Sequence, residues 1–348
     1  MNNDWQSVFA QDASLFPHLA DLAKDQVLLS TMSEAAFRQA SFLDQRILTP
    51  ELQRQIVSWP DIPSLPPSSL NKPHYIFHVG HVGSTLISRL LGELDDFLAL
   101  REPAILRQLA EVQVVKPADI GWSEQELATR LTQVENWLSR VFHANQRVMI
   151  KASSFVSPLA KNLLADNGTA LFLFASLDRY LPTILAGDAS KQEAAALAEL
   201  RLLRLERHCG ESLASKETLS LAQTAALGWL CEMVTLCDAE HHCPDANIAW
   251  MDFDDFLHQP AEQLQIAASH FGRHLSMEDS RSLVSSPIMT SYSKAPEYDY
   301  SASLREELLA EAAQIHADDI RQTLLWVNQL ARRFPVVGAA IAKAETRR

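Results

Sequence analysis

The apolar positions of this 348-residue chain follow two different patterns. Between Leu15 and Gln55 they recur every three to five residues, and this spacing predicts two or three helices. The stretch from Pro60 to Pro73 is rich in proline, which excludes a helix interior and predicts a linker. We therefore expect residues 1–58 to form an N-terminal helical segment packed on a core of residues 74–348, within one domain overall.

Beyond the linker, short apolar runs alternate with longer amphipathic stretches. The short runs are rich in β-branched and aromatic residues, which predicts strands at 74–79, 97–100, 147–152, 169–175 and 246–250. The amphipathic stretches predict helices near 84–94, 122–143, 155–166, 179–207, 218–239 and 303–332. This alternation predicts an α/β fold in three layers, a parallel sheet with helices on both faces. Helical additions are expected at both the N-terminal and the C-terminal end.

A long polar stretch at residues 284–302, rich in tyrosine and serine, predicts a loop before the last predicted helix. Loops of this length in compact domains often act as lids over a site. A plain surface connection accounts for the length equally well.

Composition and charge limit the classes of partner. With 47% hydrophobic and 21% charged residues the chain is typical of globular proteins. The formal net charge of −13 is unsuited to nucleic acid or to an anionic membrane surface, so any anion site must be local. We find no apolar run of membrane-spanning length and no leader-like start, and we expect a cytoplasmic protein with neither nucleic-acid nor membrane partners.

The four cysteines do not form a convincing framework for disulfides or metal. Four cysteines are too few for a disulfide framework in a chain of this length, so we expect their thiols to be reduced. Cys237 and Cys243 lie beside His241 and His242, but their spacing matches no common zinc motif. No metal is expected.

The turn from Gly80 to Thr85 joins the first strand of the core to the following helix. Its glycines, Gly80 and Gly83, allow backbone N–H groups to point together, and Ser84 and Thr85 add hydroxyl donors at a helix N-terminus. The turn therefore predicts a site for a tetrahedral anion. It is too short for the usual ATP or GTP loop and has no lysine after Gly83. A simple strand-to-helix turn would give the same residues.

Three segments resemble the sulfotransferase family. Phe77–Leu91 looks like the loop that binds the 5'-phosphosulfate of 3'-phosphoadenylyl sulfate. Leu100–Pro103 carries an acidic residue after the second strand, as in many bacterial and tyrosyl-protein sulfotransferases. Trp250–Leu264, followed by Phe271–Gly272, is similar to the family's acidic segment, proline, helix and Phe-Leu-Gly. The three segments occur in the family's order, across about two thirds of the chain.

This resemblance implies a P-loop-type fold and an enzyme. It would transfer a sulfuryl group from 3'-phosphoadenylyl sulfate, as co-substrate, to a hydroxyl or amine of a small molecule or peptide. The implied catalytic residues are Glu102, as the base that takes the acceptor proton, and His81, where the family usually has Lys or Arg. Glu102 could instead cap the helix that starts at Pro103. The implied donor-binding loop consists of Gly80, His81, Val82, Gly83, Ser84 and Thr85.

The expected 3'-phosphate site departs from the family pattern. The family has an arginine directly after the central strand and a serine two helical turns later. Here Arg179 comes two or three positions late, and Ile184 and Leu185 stand downstream. Arg179, Lys151 and Lys294 are therefore the candidates for binding the phosphates of the donor, with a solvated surface position as the alternative for both lysines.

Two other functions stay open at this point. One is a P-loop phosphotransferase or another nucleotide-binding protein, and the other is a non-catalytic binding protein that keeps the fold. The sequence indicates neither the acceptor nor the oligomeric state.

Overall fold

The N-terminal part of the chain forms a three-stranded antiparallel sheet. This is seen in the computed structural model, which describes residues 4–65, 71–213, 216–290 and 301–346. A first helix, α1 (Asp4–Gln11), precedes the sheet, and a short helix, α2 (Glu34–Gln39), lies between its second and third strands in the chain. The strands, in the order in which they pair, are β1 (Leu15–Asp21), β2 (Gln26–Thr31) and β3 (Arg54–Ser58). The prediction of an N-terminal helical segment is therefore wrong.

A tight turn after β1 explains this difference. Asp21 accepts hydrogen bonds from the backbone N–H of Lys24 through its carbonyl and its Oδ1, at 3.2 and 3.1 Å. Asp25 then adopts a φ of +55°, and the chain reverses into β2, where Val27 and Leu29 are both fully buried. Apolar residues in such short runs fit either a helix or a strand, and the turn with its long-range pairing decides between them.

A parallel five-stranded sheet forms the core, and all five predicted strands are confirmed near their predicted bounds. Every neighbouring pair in the order β5-β6-β4-β7-β8 is parallel. The strands are β4 (His74–His78), β5 (Phe97–Arg101), β6 (Arg147–Lys151), β7 (Thr169–Phe174) and β8 (Asn247–Asp252). Every residue of β4 and β5 is buried, as expected for strands covered on both faces.

Helices flank this sheet and connect its strands. The predicted helix at 179–207 is interrupted at Gly187, and the one at 155–166 begins as a 3-10 helix at Ser154. The helices are α3 (Ser84–Leu91), α4 (Ala104–Val115), α5 (Glu124–Leu138), α6 (Ala160–Leu164), α7 (Leu177–Leu185), α8 (Asp188–Cys209), α9 (Leu221–His242), α10 (Phe253–His258), α11 (Pro260–His270) and α12 (Met277–Val284).

Three further helices form the C-terminal addition, which confirms that part of the prediction. They are α13 (Ala302–Ile315), α14 (Ala317–Arg333) and α15 (Pro335–Glu345), where the sequence pattern predicted a single helix. Both α14 and α15 pack against α9. The polar stretch predicted as a long loop includes a 3-10 helix at Pro287–Met289, and its residues 291–300 lie outside the described part of the chain.

The strand order places the carboxyl end of β4 at a branch point. From β4 the chain moves to β5 and β6 on one side, then crosses to β7 and β8 on the other. Open α/β sheets bind ligands in the crevice that such a reversal creates. The glycine turn that follows β4 therefore lies at the position where this fold favours a binding site.

His74, at the start of β4, links the stability of this sheet to pH. The imidazole is 4% exposed and stacks on Phe271, with 5.0 Å between ring centroids. Burial, together with the positive charge of Arg147, lowers the His74 pKa from 6.5 to about 4. The unfolded chain therefore binds this proton near pH 6.5 and the folded chain only near pH 4, so the stabilisation is complete above pH 6.5 and is lost as pH falls toward 4.

We expect the variant His74→Phe to resist acid better than the native chain. Between pH 6.5 and 4.5 the native protein should lose about 2 to 3 kcal/mol more of its free energy of unfolding than the variant, because phenylalanine has no proton to take up. Urea denaturation at the two pH values measures both quantities. If the free energy of unfolding falls equally in the native protein and the variant, His74 is not the source of the pH dependence.

Candidate functional site

The turn between β4 and α3 has an unusual backbone conformation, which is favourable for binding an anion. Three of its first four residues lie in the left-handed region, with φ values of +92° at Gly80, +54° at His81 and +64° at Gly83. Left-handed residues within a turn can bring successive N–H groups into one concave surface, a geometry that suits an anion. The first turn of α3, beginning at Ser84, adds the positive end of the helix dipole.

Several donors at this turn are unused. The backbone N–H groups of Gly83, Ser84 and Thr85 make no hydrogen bond to any residue that the structure describes. The hydroxyl of Thr85 is buried and also has no partner there. An unsatisfied buried hydroxyl costs about 1 to 3 kcal/mol, so a bound anion that accepts from these groups would recover that free energy.

His78 holds the start of the turn in place. Its Nδ1 lies 3.0 Å from the backbone nitrogen of Gly80, and its Nε2 lies 2.9 Å from the carbonyl oxygen of Ala152. The N–H of Gly80 must donate and the carbonyl must accept, so these partners fit a neutral imidazole protonated on Nε2. The ring thereby ties the turn to the end of β6.

Phe253 packs directly against Gly83. A Cβ at position 83 would lie 1.9 Å from Cε2 of Phe253, which is closer than two carbon atoms can approach. Phe253 is the first residue of α10, immediately after β8, within the acidic segment Trp250–Leu264 that resembles the sulfotransferase family. The fold thus brings the first and third of the three resembling segments into contact.

A cavity of about 500 Å³ opens beside the turn. It is lined by the turn itself, by the connection between α7 and α8, by Phe253 and by one face of α13. From α13 it receives Arg305, whose side chain is 9% exposed and whose Nη1 donates to Oδ1 of Asp254 at 2.8 Å. Sequence reasoning missed Arg305, because nothing near it in the chain indicates that α13 packs on α7 and reaches the cavity.

His81 lines this cavity beside an acidic partner. Its Nε2 lies 3.4 Å from Oε2 of Glu193 on α8, and both side chains line the cavity. Val82, Gly83, Ser84 and Thr85 line it too. An anion held at the turn would therefore sit close to both a histidine and a carboxylate.

Glu102 and Lys151 form an ion pair at the carboxyl ends of β5 and β6. The ammonium of Lys151 donates to Oε1 of Glu102, and Nη2 of Arg46 lies 3.9 Å from Oε2. Lys151 is 1% exposed, so the alternative of a solvated surface lysine is wrong. Neither Glu102 nor Lys151 is among the residues that line the cavity at the turn.

The alternative role of Glu102 as a helix cap is also wrong. The capping position of α4 is Pro103, and no side chain caps this helix end. Instead Glu102 adopts a φ of +54°, and its backbone N–H donates to the carbonyl oxygen of Lys151 at 2.7 Å. A non-glycine residue in this region is strained, and such residues cluster at functional sites.

Arg179 lies away from the cavity walls and is engaged with two acids. Its Nε donates to Oδ2 of Asp254 at 3.1 Å, and its Nη2 donates to Glu306 of α13. Burial alone would lower the Arg179 pKa, but the hydrogen bonds and charges of these two carboxylates outweigh it and raise the pKa. Lys294, the other predicted phosphate ligand, falls outside the described residues.

Within residues 4–65, 71–213, 216–290 and 301–346, no group of three or more His, Cys, Asp or Glu could hold a metal ion. In the same ranges no helix is both long and apolar enough to cross a membrane.

Comparisons by sequence find no relative, while comparisons by structure find sulfotransferases. No family model and no curated protein matches the sequence. The sulfotransferase domain from the curacin biosynthetic pathway is similar with a TM-score of 0.44 and 10% identity, over 71% of this chain and 98% of that one. A sulfotransferase from Alicyclobacillus acidocaldarius has a TM-score of 0.37 and 12% identity, over 72% and 97% of the two chains. One from Mycobacterium avium has a TM-score of 0.36 and 12% identity, over 71% and 77%.

Proposed function

We propose that this protein is a sulfotransferase-like enzyme that uses 3'-phosphoadenylyl sulfate. The observation that carries the proposal is the turn Gly80–Thr85, with three left-handed residues, unused N–H groups and the unpartnered Thr85 hydroxyl. The resemblance of the three sequence segments supports the choice of donor, and the absence of a lysine after Gly83 disfavours ATP or GTP.

In the proposed reaction the bond between sulfur and the bridging oxygen of the donor breaks. Its electrons stay with the 5'-phosphate, which leaves as part of adenosine 3',5'-bisphosphate, while the acceptor oxygen or nitrogen forms the new bond to sulfur. Glu102 takes the acceptor proton as general base. The donors of the turn stabilise the charge that develops on the departing phosphate, as in phosphoryl transfer.

We assign the 3'-phosphate to Arg305 in preference to Arg179. Arg305 lines the cavity, and its Nη1 donates hydrogen bonds to Asp254 and Glu306. Its Nε and Nη2 make no hydrogen bond to any residue that the structure describes. A guanidinium with two remaining donors suits a phosphate. In Arg179, by contrast, Nε and Nη2 both donate hydrogen bonds to carboxylates, those of Asp254 and Glu306.

Calorimetry with adenosine 3',5'-bisphosphate tests the proposal. We expect one molecule to bind per chain, and the variant Thr85→Ala to bind at least about tenfold more weakly, since a hydrogen bond to a charged group contributes about 1.5 to 3 kcal/mol. Thr323→Ala is the matched control, because Thr323 is a second buried threonine with an unpartnered hydroxyl, in α14 and outside the cavity. No binding by the native protein, or equal weakening in both variants, would overturn the proposal.

The engagement of Arg179 by two acids favours a second candidate, a binding protein that keeps the fold without transfer. The two candidates differ in what happens to intact donor. An enzyme releases adenosine 3',5'-bisphosphate from it in the presence of an acceptor, whereas a binding protein holds it unchanged. Chromatography of the nucleotide after incubation with a panel of hydroxyl and amine acceptors separates the two.

A further inference from the structure

Behind the glycine turn, two buried arginines face a single carboxylate. Arg201 and Arg204 lie on α8, and each is 4% exposed. Glu232, on α9, is fully buried between them. The group therefore carries one more positive than negative charge in a place that water hardly reaches.

The two arginines are not equivalent partners of Glu232. Arg204 donates from Nη1 to Oε1 at 3.0 Å and from Nη2 to Oε2 at 2.9 Å, and the hydroxyl of Ser157 also donates to Oε2. These bonds satisfy the carboxylate. Arg201 approaches it only to 3.7 Å, measured from Nε to Oε1.

Arg201 has no hydrogen-bond partner among the residues that the structure describes. Its Nε is completely buried and unsatisfied. Its charge is compensated only by the long ion pair with Glu232, whose oxygens already accept from Arg204, and a buried N–H without an acceptor costs free energy. A guanidinium in this state has donors left for a further acceptor, and an anion suits its charge.

Gly228 and Tyr180 lie between Arg201 and the glycine turn. A Cβ on Gly228 would lie 2.9 Å from Nη1 of Arg201 and 3.6 Å from the hydroxyl of Tyr180, so a glycine leaves the guanidinium its space. The same Tyr180 hydroxyl lies 3.7 Å from the Cβ position of Gly80. It also donates to the carbonyl oxygen of Val79 at 3.3 Å.

The hydroxyl of Ser154 stands at the same distance, 3.7 Å, from the Cβ position of Gly80. Ser154 follows β6, the strand whose last residue is Lys151. Hydroxyl groups of Ser154 and Tyr180 thus flank the first glycine of the turn, and Arg201 lies beside Tyr180. Neither the predicted ligands nor the cavity beside the turn includes Arg201 or Tyr180.

We propose that Arg201 binds a sulfate-type oxyanion next to Gly80, beside the hydroxyl of Ser154. The inference rests on the proposed function and adds to it a cation that the sequence did not indicate. The oxyanion has two chemical sources: the sulfuryl group of the donor, or an anionic group on the acceptor. In the first case Arg201 stabilises the group in transfer, and in the second it selects acidic acceptors.

Titration with inorganic sulfate tests the site, using the full chain and calorimetry. In one arm the protein is saturated with adenosine 3',5'-bisphosphate, which leaves the sulfuryl position empty, and in the other arm with intact donor. Sulfate binding in the first arm alone assigns Arg201 to the sulfuryl group. Sulfate binding in both arms assigns it to the acceptor. Absence of binding in both arms, and without nucleotide, overturns the inference.

The variant Arg201→Gln must lose this sulfate binding by at least tenfold. Without ligand it should melt close to the native chain, because the side chain that it removes makes one long ion pair and no hydrogen bond to a described residue. Arg204→Gln is the matched control on the same helix. It should melt several degrees lower, because it strips the buried Glu232 of two hydrogen bonds. If Arg201→Gln melts as low as Arg204→Gln, or still binds sulfate like the native chain, Arg201 is a structural residue and the inference fails.

The design separates failure of this inference from failure of the proposed function. Sulfate binding that depends on Arg201 in a protein that binds no adenosine 3',5'-bisphosphate would keep the anion site and refute the choice of donor. Nucleotide binding and turnover in a protein whose sulfate binding is the same with and without Arg201→Gln would keep the sulfotransferase proposal and refute the anion site.

Discussion

Replacing Gly83 with alanine is expected to abolish anion binding and to lower the free energy of unfolding by about 2 to 5 kcal/mol. Two effects add. A non-glycine residue in the left-handed region costs about 1 to 2 kcal/mol, and the new methyl group would collide with the ring of Phe253, which lies 1.9 Å from its position. Relieving such overpacking costs about 1 to 3 kcal/mol more. Because the turn or the ring must shift, the N–H groups that face the anion lose their alignment.

Gly210 provides the matched control for this variant. Its φ is +75°, close to the +64° of Gly83, but nothing lies within 4 Å of its Cβ position. Gly210→Ala therefore isolates the backbone cost, about 1 to 2 kcal/mol, and should leave adenosine 3',5'-bisphosphate binding unchanged. Urea denaturation and calorimetry measure the two quantities. Equal destabilisation by both variants, with binding retained in Gly83→Ala, would contradict the role given to the turn.

The second large effect is expected from Glu102→Gln, which should reduce turnover by about 10²- to 10⁴-fold. The amide cannot take the acceptor proton, but its oxygen can still accept from Lys151, so the fold should be largely retained. Affinity for adenosine 3',5'-bisphosphate should stay within about twofold of the native value, since Glu102 does not line the cavity at the turn. Turnover assays and calorimetry on the same preparation test both statements.

The ion pair with Lys151 requires a control, because Lys151 is almost completely buried and losing its partner leaves a buried charge. Removing one member of such a pair costs about 3 to 5 kcal/mol when both are buried, and less here because the Glu102 side chain is 19% exposed. In the double variant Glu102→Gln/Lys151→Met we expect stability to recover and turnover to stay low. Recovery of turnover with stability would show that Glu102 supports the fold and is not the base.

The strands of the core and the glycine turn after β4 could be predicted from the sequence alone, because both depend on local patterns. Strands buried on both faces are continuous apolar runs, and a strand followed by a glycine turn and an amphipathic helix needs no distant residue to be recognised. The same local reasoning failed between Leu15 and Gln55. There the spacing of leucines fits two structures, and pairing with the distant β3 decides between them.

The partners of charged side chains were decided by the tertiary structure. Glu102 and Arg179 follow strands β5 and β7 as the sequence predicted, but the packing of β6 gives Glu102 a lysine and the return of α13 gives Arg179 a glutamate. The same packing brings Arg305 to the cavity and Arg201 beside Tyr180, and no neighbouring sequence marks either residue. Backbone conformation follows from short-range sterics and hydrogen bonding, whereas the charge that surrounds a side chain is a sum over elements that meet only in the folded chain.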